Sequence, residues 1–317
     1  MKKCLSLFLA LALALGLLAP AAALGEGKLK VVVTIFPIYD WVCQIAGPDL
    51  ADVTMLLDTG ADLHNFQPTV QDILRVAQCD VFIFVGGESD GWTDSVIATA
   101  NNPALRALNL MEALGERVKE EEIVEGMQAE EEEEEEGPAG DEHIWLSLQN
   151  ADALVAVIAN SLSEADPAHA DLYQANAAAY QEQLRALDEK YREAVDAAAF
   201  HTILFGDRFP FRYLADDYGL TYYAAFQGCS AETEASFQTI LFLAQKVEEL
   251  GLPAVLTIEN PKTRMADTII SSVKTHTPRL VAMDSMQSVT SAALEDGTVS
   301  YLGLMEKNLE ALKDALN

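Results

Sequence analysis

The stretch HADLYQANAAAYQEQLRALDEKYREAVDAA, His169 to Ala198, contains neither glycine nor proline. Within it Leu172, Ala175, Ala179, Leu184, Leu187, Tyr191 and Val195 recur at three- to five-residue steps. That spacing predicts one long helix with a single apolar stripe. Asp166 is placed as its N-cap, with Pro167 at the first helical position. About thirty residues at ~1.5 Å each make a rod of roughly 45 Å.

What flanks this helix sets the fold class. Upstream, Lys30–Ile35, Val53–Leu57 and Val81–Val85 read as strands, with helical patterns over Ile38–Ala46, Val70–Ala77 and Trp92–Ala100. Downstream, Thr202–Phe205, Leu220–Phe226, Ala254–Ile258 and Leu280–Met283 read as strands. They alternate with helices over Phe211–Asp217, Ser236–Leu250, Met265–Lys274 and Leu302–Leu316. The expected fold is α/β: two similar lobes, 24–166 and 199–317, joined by a rigid linking helix, 167–198. Each lobe is a roughly four-stranded, mostly parallel sheet flanked by helices. Ligands of such sheets bind beyond the carboxyl ends of the strands, so a cleft between facing lobes is the place to look for function.

The N-terminus carries Lys2 and Lys3, an apolar run from Leu5 to Leu18, and then Ala21-Ala22-Ala23. That order is a secretory signal peptide over 1–23, and its apolar run is too short for a membrane span. Cys4 precedes the apolar run and no cysteine lies near the cleavage site, so no lipid-anchored cysteine is expected. The protein is expected to be exported, to a periplasm or the extracellular face of the cell envelope. Its 20 basic and 50 acidic residues leave a formal charge of −30. Such a surface repels nucleic acid and attracts cations, so no nucleic-acid partner is expected. Seven consecutive glutamates, Glu130–Glu136, lie in an unpatterned segment, 116–142, read as a solvated structureless loop. Cys43, Cys79 and Cys229 are odd in number and lack Cys-x-x-Cys spacing, and Cys43 and Cys79, in apolar surroundings, are read as buried inert thiols.

The polar residues that leave the strands are His64, Asp207, Glu259 and Asp284, and His143 follows the acidic segment. Two imidazoles and several carboxylates on separate loops, converging on one cleft, would make a metal site with nitrogen and oxygen donors. His169, His201 and His276 read as structural. No His-Glu-x-x-His, Gly-x-Ser-x-Gly or glycine-rich phosphate loop is present, and Gly86-Gly87 reads as a plain turn.

These residues carry a resemblance. Asp62-Leu63-His64-Asn65-Phe66-Gln67-Pro68-Thr69 resembles the first ligand loop of the zinc- and manganese-specific substrate-binding proteins of ABC transporters. His143-Ile144-Trp145-Leu146 resembles the second, usually Asp-Pro-His-x-Trp-Leu, with Glu142 here in place of the proline. Tyr213 with Tyr218-Gly219-Leu220 resembles the helix after the third ligand, and Asp284-Ser285 the fourth ligand loop. The resemblance implies two lobes joined by a rigid helix, one divalent metal between them, an ABC permease as partner, a monomer, and no catalysis. It implies Zn2+ as the metal, with Mn2+ the alternative. It places Arg208 at the third ligand position, where a guanidinium cannot ligate. Asp207 is therefore expected to ligate, with Glu259 the alternative ligand and Arg208 paired to Glu234 or Glu259. The expected donors are His64, His143, Asp207 and Asp284. Competing readings are a secreted metallohydrolase with Glu259 or Glu234 as base, and a two-lobed receptor for a metal chelate or other small solute.

Overall fold

The computed structural model describes residues 27–317 except 61, 101, 129–138, 230–234 and 260–263. The expected signal peptide, the Glu130–Glu136 run and Glu234 lie outside the described residues. Strands β1 (Leu29–Val33), β2 (Ala51–Met55), β3 (Val81–Phe84) and β4 (Arg106–Asn109) form one sheet. Strands β5 (Thr202–Phe209), β6 (Thr221–Gln227), β7 (Ala254–Ile258) and β8 (Arg279–Met283) form the other. The orders are β2-β1-β3-β4 and β6-β5-β7-β8, the same in each lobe. All pairs are parallel. β3 and β7 are buried along their whole length and apolar but for Thr257, as strands covered on both faces must be.

The helices are α1 (Phe36–Leu50), α2 (Val70–Gln78), α3 (Thr93–Thr99), α4 (Leu110–Leu114), α5 (Leu148–Ala165) and α6 (Ala170–Asp196) in the first part of the chain. They continue with α7 (Arg212–Tyr218), α8 (Phe237–Leu250), α9 (Met265–Ser272), α10 (Ser291–Glu295) and α11 (Tyr301–Leu316). The long helix α6 is where the sequence placed it, with two differences. Its entry, Pro167–His169, is a 3-10 turn, and the Asp166 carboxylate accepts from His169 Nδ1 at 2.6 Å and Tyr173 OH at 2.9 Å. The buried stripe runs Tyr173, Ala177, Tyr180, Leu184, Leu187, Tyr191, Val195, while Leu172 is 47% exposed. Tyrosine explains the changed phase of the first two turns: its ring enters the core while its hydroxyl reaches a polar partner. Tyr180 OH donates to the buried Asp40 at 3.1 Å.

The helix α6 packs on α1 and α5 of the first lobe and on α7 and α11 of the second. It is a shared wall, and the lobes touch beyond it. Trp41 of α1 meets Tyr301 of α11 edge-on at 5.2 Å between centroids, and Tyr191 OH donates to Met305 O at 2.6 Å. One apolar core is continuous through both lobes, and a smaller one lies under α8 and α9.

The acidic segment departs most from expectation. Its described parts, 116–128 and 139–142, are an ordered strap bound to the second lobe. Glu122 pairs with Arg212 at 2.8 Å and accepts from Tyr222 OH at 3.0 Å, and Gln227 Nε2 donates to Glu121 at 3.1 Å. Gln128 N donates to Ala225 O at 3.0 Å on β6. Since β6 is an edge strand, its free carbonyls capture a passing chain. Like-charge repulsion loses here because these acids have partners.

Ser147 Oγ, the N-cap of α5, donates to Asp217 of α7 at 2.5 Å. Burial, with the charge of Asp188 nearby, pushes the Asp217 carboxyl up to about 6. Each pKa unit is about 1.4 kcal/mol, so keeping Asp217 charged at pH 7 costs the fold on the order of 1–3 kcal/mol. The folded pKa lies above the unfolded one, so this cost fades as pH falls through about 6. Asp217→Asn is expected to be more stable than wild type at pH 7, with the difference vanishing by about pH 4. Urea melts of the two proteins across that range check it.

Candidate metal centre

The loop leaving β2 turns at a short 3-10 helix, Leu63–Asn65, which Asp62 caps by accepting from His64 N at 3.2 Å. Leu63 is fully buried and anchors the turn. His64 Nδ1 lies 2.9 Å from Ser89 Oγ and 3.4 Å from Glu142 Oε2. Glu142, 2% exposed, also accepts from Ser89 N at 2.8 Å. Burial alone would raise its pKa, but His64 and Ser89 hold it below the ordinary range. The turn through Gly87, at φ +80°, runs against this carboxylate, and a Cβ there would collide with the Glu142 side chain. The Gly86-Gly87 turn is thus the wall of a histidine's partner.

His143 is fully buried. Asp141 Oδ1 accepts from both His143 N and His143 Nδ1 at 2.9 Å. The second lobe holds this loop: Tyr213 OH donates to Asp141 O at 2.7 Å, and Trp145 Nε1 donates to Ser285 O at 2.9 Å. Tyr301 OH adds a bond to Trp145 O at 2.7 Å.

The two imidazoles meet with Nε2 atoms 3.2 Å apart. Asp141 fixes the His143 proton on Nδ1, which leaves an Nε2 lone pair. A proton on His64 Nδ1 likewise faces the buried Glu142 Oε2, which has no other hydrogen-bond partner among the described residues. Two lone pairs then face each other, and a cation between them satisfies both. At zinc–nitrogen lengths of about 2.0–2.1 Å, tetrahedral donors stand roughly 3.3 Å apart, close to the observed spacing.

Cys229, just past β6, joins the pair. Among the described residues, His64, His143 and Cys229 are the group of three histidine, cysteine or acidic donors whose ligand atoms lie within 4.8 Å of one another. The sequence reading gave Cys229 no role at the site. Its only sequence signal was its place one residue beyond a Gly at a strand's carboxyl end.

Asp207 and Asp284 are not brought into this group. The strand β5 extends to Phe209 with a bulge between Phe205 and Arg208, so Asp207 and Arg208 lie within it instead of on the loop beyond. Asp207 accepts from Thr257 Oγ1 at 2.7 Å and from Arg208 N at 2.9 Å. Arg208 crosses to the first lobe and pairs with Asp62 at 2.6 Å, both nearly buried, and of its two expected partners Glu234 lies outside the described residues. Burial favours neutral Asp62, but Arg208 and His64 outweigh it and lower its pKa. Glu259 accepts from Ser285 N, Ser285 Oγ and Ser288 Oγ at 2.6, 2.7 and 3.0 Å. Asp284 Oδ1 accepts from Met286 N at 2.8 Å, and burial raises its carboxyl. Glu259 is raised too, by burial and then by Asp284.

A family model described as the zinc-uptake complex component A periplasmic protein, ZnuA, matches residues 31–315. The zinc-binding lipoprotein AdcA of Streptococcus pneumoniae serotype 4 is 31% identical over 293 residues, 91% of this chain and 56% of that protein. This chain thus spans about half the length of the AdcA relatives it matches. The high-affinity zinc uptake system protein ZnuA of Bacillus subtilis is 27% identical over 294 residues, 91% of this chain and 88% of that one. The solved Zn(II)-bound ZnuA-like domain of Streptococcus pneumoniae AdcA superposes with a TM-score of 0.72 at 27% identity, covering 92% of this chain and 99% of that chain. The paired lobes, the His64 and His143 loops and the match over 31–315 agree, and the chain belongs to the ZnuA family of zinc-uptake complex component A periplasmic proteins.

Proposed function

We propose that this protein is the exported receptor of a metal ABC transporter, taking one Zn2+ ion between its lobes and delivering it to a membrane permease. The observation that carries the reading is the pair of Nε2 atoms 3.2 Å apart, each imidazole backed at Nδ1 by a buried carboxylate. His64 and His143 are the donors, and Asp141 and Glu142 orient them, as carboxylates commonly orient zinc-bound imidazoles. Relatives named for zinc binding and zinc uptake support the cargo. Among the described residues no helix is long and apolar enough to cross a membrane, which fits a receptor that meets its permease from outside.

A carrier reading suits the enclosure. His143 is fully buried and the His64 side chain is 7% exposed, so an ion fits where a hydrolysable substrate does not. Cargo must then enter and leave by separating the lobes. The contacts that oppose separation are Arg208–Asp62, Tyr213–Asp141 and Trp145–Ser285.

Four outcomes follow from this reading. His64→Ala and His143→Ala abolish tight Zn2+ binding in competition titrations while far-UV circular dichroism stays the same. Asp141→Asn keeps both donors but loosens the His143 tautomer, and weakens Zn2+ by about 10–100-fold. Ligation consumes deprotonated donors, so affinity falls as pH falls. Arg208→Gln leaves the donors in place but removes a nearly buried cross-lobe pair, worth on the order of 1–3 kcal/mol. Stopped-flow chelator capture then records faster Zn2+ release from that variant. Wild-type affinity in both histidine variants would overturn the proposal.

A further inference from the structure

The geometry points to Cys229 as a third metal donor, so that this chain holds its ion with two imidazoles and a thiolate. The inference rests on the metal-receptor reading and names the donor that sets which ion is preferred. β6 ends at Gln227, and the chain then passes over the His143 ring at Gly228. A Cβ at Gly228 would lie 2.8 Å from His143 Cε1 and 2.9 Å from Phe209 O. Only glycine lets the backbone come this close, and the close approach sets Sγ of the next residue within 4.8 Å of both histidine donor atoms. A tetrahedral zinc with bonds of about 2.3 Å to sulfur and 2.0–2.1 Å to nitrogen needs a spacing of roughly 3.5 Å. That spacing falls inside the 4.8 Å within which the three donor atoms lie.

Three other polar side chains near the strand ends have partners of their own. Arg208 is paired to Asp62, Asp207 to Thr257, and Glu259 to Ser285 and Ser288. The thiol itself lies against Glu121, with Asp141 and Glu142 nearby. These acids disfavour a bare thiolate, and a bound dication reverses that balance. Binding forms a metal–sulfur bond and breaks the S–H bond, and the proton leaves to solvent. Thiolate is a soft donor that suits Zn2+ and Co2+ and suits Mn2+ poorly. Cys229 therefore gives this receptor its discrimination against manganese.

The test uses the mature protein, reduced and stripped of metal, with Co2+ as spectroscopic probe and Zn2+ and Mn2+ as competitors. Wild type is expected to show tetrahedral cobalt d–d bands with a thiolate-to-cobalt charge-transfer band in the near ultraviolet. Zn2+ abolishes both, and Mn2+ does not. Cys229→Ser loses the charge-transfer band and weakens Zn2+ by at least the about 10–100-fold seen when a ligand's support is lost, while its Mn2+ affinity stays the same. Cys43→Ser and Cys79→Ser keep the band, which excludes a stray thiol. Cobalt bands that need His64 but lack the thiolate transition, or a Cys229→Ser variant with wild-type Zn2+ affinity, overturn the third donor and leave the receptor standing. A wild-type protein that takes up neither Co2+ nor Zn2+ overturns both.

Discussion

Two imidazole nitrogens 3.2 Å apart, with their opposite nitrogens held by buried carboxylates, are the constraint around which the rest is arranged. Asp141 and Glu142 are 3% and 2% exposed. Charges so placed are costly unless donors meet them, and the structure supplies the donors locally. Asp141 takes an amide and a ring N–H from the same histidine. Glu142 takes the Ser89 amide from the turn after β3. The Gly87 turn must run without a Cβ to let Glu142 lie there. Each histidine thus has a preset ring orientation before any ion arrives, and an ion pays little to organise it.

The two-lobed architecture converts that local arrangement into a closing device. Parallel sheets of the same strand order present their carboxyl-end loops to one another. His64 and His143 both belong to the first lobe, while Tyr213, Ser285 and Arg208 come from the second and fasten their loops. Separating the lobes beside α6 would expose Trp41 and Tyr301, so the continuous core there resists it. The charge of −30 acts at longer range, drawing cations toward a cleft whose own side chains are acidic.

Departures from the family pattern are where this chain has most to say. Glu142 stands where proline is usual, and it supports His64 as Asp141 supports His143. Arg208, which the resemblance sets at a ligand position, ties the lobes through Asp62. Both residues act here through ionic contacts. A charged group enters a buried site only with its partner, so each such substitution is readable as half of a pair. Arg208 in the sequence names no partner; Asp62 is 146 residues away.

By itself the sequence determined the fold class, the long helix, the order of strands and helices in each half, and His64 and His143 as the residues to watch. Those features are local: an apolar period of two or of 3.6, a turn residue at a strand's end, a short motif. Phase and partnership were beyond it. The stripe of α6 slid by one or two residues in its first turns, where Tyr180 reaches Asp40. The acidic strap became ordered because an edge strand and Arg212 were there to receive it. Only the tertiary structure committed Asp207 to Thr257 and set Cys229 beside two histidines 165 and 86 residues earlier in the chain. Such donors converge by the packing of separate strand ends, and no spacing along the chain records that.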